Sequence, residues 1–144
     1  MNTQDTIHLL RECDAGSKMA VTSIDEILEK VNHPKMKLIL ADNKQKHEVL
    51  GNEIHSMLLK YDSNEKDPGA VARGMSWLKT EVKMGMKRSD ATAADLITDG
   101  CHMGIKSLHR YLNQYSAADE TAQKLCGKLI ALEEDLCKDL QDYL

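Results

Sequence analysis

The sequence predicts an all-α fold, an antiparallel four-helix bundle with a long crossover that contains a short extra helix. Three observations carry this reading. Aromatic residues make up 3% of the 144 positions, Phe is absent, and Gly and Pro number only 8 and 2. Leu, Ile, Ala and 8 Met must then fill the core, and such residues lose little freedom in a helix. Apolar residues also recur at alternating spacings of three and four along four segments, with helix breakers between them. A chain of this length suits one domain around one core, residues 1–144.

Helix 1 is predicted over about 3–31, with Asn2 or Thr3 as a cap ahead of Asp5. Asn32-His33-Pro34 breaks it. Proline pushes the residue before it out of the α region but opens a new helix comfortably. Helix 2 then runs over about 34–61. The stretch from Asp62 to Gly69, which contains Pro68, is the clearest loop in the chain. It begins a crossover over 62–88. Within the crossover, Val71, Met75, Leu78 and Val82 fall on one helical face, with Trp77 beside them. That face either covers the core or, in the sharper reading, forms an interaction surface of Val71, Met75, Trp77 and Leu78. Ser89 caps helix 3, about 89–115. Ser116 to Asp119 reads as a capping box for helix 4, about 117–143.

The net charge is −4, so no strong basic field exists to hold nucleic acid or an anionic membrane. The basic residues of helix 2, Lys35, Lys37, Lys44 and Lys46, read as a solvated face. No stretch approaches the roughly 20 apolar residues that span a bilayer, and no apolar run follows a basic segment at the start. A soluble, cytoplasmic protein is expected. Its cysteines, Cys13, Cys101, Cys126 and Cys137, are then reduced thiols. None forms a Cys-x-x-Cys pair, and no phosphate-binding glycine loop or nucleophile elbow occurs.

The stripes carry the functional information. Helix 1 aligns Leu10, Cys13, Ser17, Ala20, Ile24, Ile27 and Val31, and helix 3 aligns Ala94, Ile97, Cys101, Gly104, Leu108, Tyr111 and Tyr115. The two superpose with Ser17 on Cys101. Helix 2 carries Met36, Leu40, Asn43, His47, Leu50 and Ile54; helix 4 carries Cys126, Ile130, Glu133, Cys137, Leu140 and Leu144. These superpose with His47 on Cys137, so the hairpins read as weak internal repeats. Ser17, Asn43, His47, Cys101, Glu133 and Cys137 interrupt the apolar pattern in mid-helix. Buried polar groups cost free energy unless paired, so they are expected to cluster at one level.

The Gly16 and Gly100 segments, the Pro34 hairpin, the loop ending Asp67-Pro68-Gly69 and the crossover from Val71 to Leu78 together resemble the ferritin-like superfamily. The similarity is to an uncharacterised bacterial branch, a domain of unknown function, and covers nearly the whole chain. The resemblance implies a ferritin-like bundle. In its metal-binding members, helices 1 and 3 each give a Glu and helices 2 and 4 each give Glu-x-x-His, which together hold two iron or manganese ions. Here the corresponding positions hold Ser17, Cys101, Lys44 with His47, and Glu134 with Cys137. Only His47 and Glu134 match. Two multivalent cations need several carboxylates, so the di-metal centre is expected to be lost.

The leading expectation is a non-enzymatic interaction module, a homo-oligomer or the partner of another protein, with no cofactor. Two alternatives stand beside it. His47, Cys101, Glu134 and Cys137 could form a rearranged site for zinc or iron, in a metal-binding protein or an oxidoreductase relative. Cys101 and Cys137 could instead act as a thiol redox sensor, which requires their Cα atoms to lie within about 7 Å. The bland alternative is that the thiols are small buried apolar groups and His47 a hydrogen-bonded core histidine.

Overall fold

The computed structural model describes residues 3–61 and 89–144. The extra helix of the crossover, with Val71, Met75, Trp77 and Leu78, lies outside them. The described residues form four α-helices and no strand: α1 (Thr3–Leu28), α2 (Pro34–Lys60), α3 (Asp90–Gln114) and α4 (Glu120–Asp139), followed by one 3-10 turn, Gln141–Tyr143. None is long and apolar enough to cross a membrane.

The helix ends follow local chemistry. Helix α1 stops at Leu28, three residues before its predicted end. The Lys30 and Val31 amides turn back to the carbonyls of Ile27 (2.9 Å) and Leu28 (3.4 Å), a tighter closure, while Val31 stays buried. Pro34 opens α2 as predicted, and the His33 ring accepts the Lys35 amide. Ser89 caps α3 by accepting the Thr92 amide at 3.0 Å. The cap of α4 is Asp119 rather than Ser116: its carboxylate accepts the Thr121 amide at 2.9 Å. The three residues before it are used in the turn, where the Ala118 amide bonds to the Tyr115 carbonyl.

Each turn between consecutive helices is pinned by the start of the other helix pair. The Asp90 carboxylate at the head of α3 accepts the amides of Asn32 (2.8 Å) and His33 (3.1 Å) in the α1–α2 turn. At the head of α1, Asp5 accepts the Ala117 amide (3.1 Å) and the Thr6 hydroxyl accepts the Asp119 amide (2.8 Å). Turn amides that no helix could satisfy thus find acceptors. The Tyr61 hydroxyl, just past α2, donates to Asp119.

Helix α1 packs on all three other helices, α4 on α1, α2 and α3, and α2 and α3 barely touch. The apolar core is divided in two. One cluster gathers Ile24, Ile27, Met36, Leu40, Ala94, Ile97, Cys101, Leu136 and Leu140. The other gathers Leu9, Leu10, Cys13, Leu50, Ile54, Leu58, Leu108, Cys126 and Leu129. The sequence positions of Ser17, Asn43, His47, Gly104 and Glu133 fall between these clusters on their helices.

Candidate functional site

The buried polar layer comes from mid-helix positions on all four helices. On α2, the His47 ring nitrogen Nδ1 donates to the Asn43 carbonyl at 3.0 Å, and Asn43 Nδ2 donates to the Leu132 carbonyl on α4 at 3.1 Å. On α1, the Ser17 hydroxyl donates to the Asp14 carbonyl at 2.9 Å, and its side chain lies against Gly51 of α2. On α4, Glu133 is only 3% exposed. Its carboxyl sits in the notch that Gly104 leaves in α3, where a Cβ would meet Oε1 at 2.6 Å and Oε2 at 2.7 Å. Any larger residue at 104 must displace that carboxyl.

Three buried polar atoms of the layer, Asn43 Oδ1, His47 Nε2 and Glu133 Oε2, find no hydrogen-bond partner among the described residues. Protonation reflects this. Burial raises the Glu133 carboxyl well above its usual range, and the thiols of Cys137 and Cys126 add to the rise. Burial also lowers His47, against the opposing effect of its bond to the Asn43 carbonyl. Both groups are therefore biased towards their neutral forms, which costs the least in a poorly solvated interior.

The thiols fall into two pairs. Cys101 of α3 and Cys137 of α4 pack in one apolar cluster; their interaction lowers the Cys137 thiol and, with burial, raises Cys101 well above the ordinary value. The Cys137 thiol also lies 3.9 Å from the Thr98 carbonyl. Cys13 of α1 is paired in the same way with Cys126 of α4, and that interaction and burial raise Cys13. Cys137 is half-buried, and the other three are buried.

Of the metal candidates, the structure brings Cys101 and Cys137 together and buries His47. Glu134 lies on the exposed side of α4, and its neighbour Glu133 is the buried acid. Among the described residues, no three His, Cys, Asp or Glu side chains gather so as to hold a metal ion. The Lys44 ammonium is ion-paired with Asp25 of α1.

Three features escaped the sequence reading. Asp14 is fully buried on α1 and holds Lys18 at 3.0 Å and His55 of α2 at 3.3 Å. Above it, a cleft of about 600 Å³ opens between α1 and α2, with Ser17, His47 and Gly51 among its lining residues and Lys18, Glu48, Asn52 and His55 also lining it. The signal available was Asp14 and Lys18 four apart on α1, the spacing of a helical ion pair. The Cys13–Cys126 pair was also missed, because it depends on α1 lying close to α4.

Comparison with known proteins gives no match: no family model, curated protein or solved structure matches this chain.

Proposed function

We propose that the chain is an antiparallel, ferritin-like bundle that lacks a paired-metal centre and works by association, its partner being a second copy of the same chain. The topology is supported by the hydrogen bonds at the turns. Side-chain pairs between α1 and α2 run Asp14 with His55, Ser17 with Gly51 and Asp25 with Lys44, as in two helices of opposite direction. The head of α1 meets the α3–α4 turn, and the head of α3 meets the α1–α2 turn. Helices α1 and α3 then also run in opposite directions, and α2 ends at the opposite end of the bundle from where α3 begins. The end of α2 and the start of α3 are then separated by about the length of α2, 27 residues or about 40 Å at 1.5 Å per residue. One long crossover joining two hairpins distinguishes the ferritin-like arrangement from an up-down-up-down bundle.

The observation that carries the association reading is on the outer face of α2. Leu38 and Val49 there are 71% and 64% exposed. Val49 borders a groove of about 570 Å³ between α2 and α4, shared with Leu50, Ala131 and Leu132. The charges around this face alternate in sign: Lys35, Asp42, Lys46 and Glu53 on α2, and Lys128, Asp135, Lys138 and Asp139 on α4. Such a face is self-complementary. A two-fold contact can set lysines of one copy against acids of the other around an apolar centre.

Sedimentation velocity over a concentration series tests the proposal. The wild-type chain is expected to dimerise, and Val49→Glu to sediment as a monomer with unchanged helical circular dichroism. Association that survives Val49→Glu but is lost in Trp77→Glu would move the contact to the crossover row. A strict monomer at every concentration would refute self-association.

A further inference from the structure

The two thiol pairs differ in access. Cys13 and Cys126 are both fully buried, deep in the apolar cluster of Leu9, Leu10 and Leu129. Cys101 is buried as well, but its partner Cys137 is only partly covered and packs at the edge of the other cluster. We propose that Cys101 and Cys137 form a disulfide site that reduces a small neutral hydroperoxide, while Cys13 and Cys126 stay reduced. This inference is independent of the association reading.

The geometry supplies what the reaction needs. Cys137 packs against the cluster that holds Cys101, and its sulfur lies 3.9 Å from the carbonyl of Thr98, one turn before Cys101 on α3, so the two thiols share one level of packed neighbouring helices and a bond of about 2.05 Å is within reach. Cys137 is the sulfur that a solvent-borne oxidant reaches first. Exposed Glu134, one turn before Cys137 on α4, and exposed Lys138, next to it, leave no net charge beside the sulfur to draw in an anionic oxidant, so a small uncharged peroxide is the fitting class. In the first step the Cys137 thiolate sulfur attacks the terminal oxygen of the hydroperoxide. The O–O bond breaks, the leaving alkoxide or hydroxide takes up the proton that the Cys137 thiol released and departs as alcohol or water, and Cys137 becomes a sulfenic acid. In the second, the Cys101 sulfur attacks the Cys137 sulfur. The S–O bond breaks, and hydroxide leaves as water with the Cys101 proton. The two sulfurs supply the two electrons that reduce the peroxide.

Trypsin places each cysteine in its own peptide: Cys13 in 12–18, Cys101 in 89–106, Cys126 in 125–128 and Cys137 in 129–138. The reduced, full-length chain is treated with hydrogen peroxide, its remaining thiols are alkylated, and the digest is read by mass spectrometry. The expected result is loss of two of the four thiols, with 89–106 joined to 129–138 and alkylated cysteine in both other peptides. Cys101→Ser should abolish the link and leave Cys137 as a sulfinic acid. Joining of 12–18 to 125–128, or no joined peptide while circular dichroism reports a folded chain, would overturn the proposal. So would equal formation of the Cys101–Cys137 link in urea, because selectivity would then owe nothing to the fold.

Discussion

Glu133→Gln isolates the electrostatics of the polar layer. The perturbation keeps the shape of a side chain that is 3% exposed and seated against Gly104, but removes its ability to ionise. In the folded chain the carboxyl is raised above its ordinary 4.5, chiefly by burial. A raised acid binds its proton more tightly in the folded state than in the unfolded one. Its contribution to stability is complete below pH 4.5 and is lost as pH rises through the folded value. The variant titrates nothing at this position. Its stability relative to wild type is therefore expected to increase above pH 4.5, by up to about 1.4 kcal/mol per pH unit, and to level off once the folded group has ionised. His47 acts in the other direction: lowered from 6.5 by burial, it contributes most above pH 6.5 and loses that contribution as pH falls through its folded value. It is present in both proteins and cancels in the difference. Urea unfolding of the pair, followed by circular dichroism from about pH 4 to pH 8, reads the effect directly. A difference that stays flat with pH, or a wild type that gains on the variant as pH rises, would mean that Glu133 is ionised and partnered in the fold, and the reasoning would fail.

Gly104→Ala should destabilise by about 1–2 kcal/mol, because overpacking against the Glu133 carboxyl outweighs the roughly 1 kcal/mol helix preference of Ala. In a Glu133→Ala background the same change should become stabilising, and a double-mutant cycle by urea unfolding measures the reversal. Gly127→Ala meets nothing within 4 Å and should stabilise by about 0.5–1 kcal/mol in the same assay. Asp90→Ala removes the acceptor of the Asn32 and His33 amides and should cost about 1 kcal/mol by thermal unfolding, with Asp90→Asn in between. Elemental analysis of protein purified without chelator should find metal well below one ion per chain. Near-stoichiometric zinc or iron that disappears in His47→Ala or Cys137→Ala would refute the reading of the donor set.

The fold was legible where local chemistry decides it. Pro34 and Ser89 placed two helix starts because a proline ring and a capping hydroxyl act on adjacent residues. Spacing placed Ser17, Asn43, His47, Cys101 and Glu133 on buried faces, and all five are buried. Legibility failed where a decision is made between helices. Glu133 and Glu134 are adjacent, about 100° apart on α4; the stripe put Glu133 on the core face, while the resemblance pointed to Glu134, which is exposed. What a single stripe cannot reveal is the notch at Gly104 on α3 that receives the Glu133 carboxyl. The same limit hid Cys13 beside Cys126, since each reads as one more small apolar residue on its own helix. The polar layer also explains how the four helices keep one alignment. Apolar stripes with a repeating three-four spacing fit nearly as well after a one-heptad slip. Such a slip would take Glu133 off Gly104 and set its carboxyl against a bulky neighbour, so the glycine and the acid together penalise the misaligned pairing more than the native one.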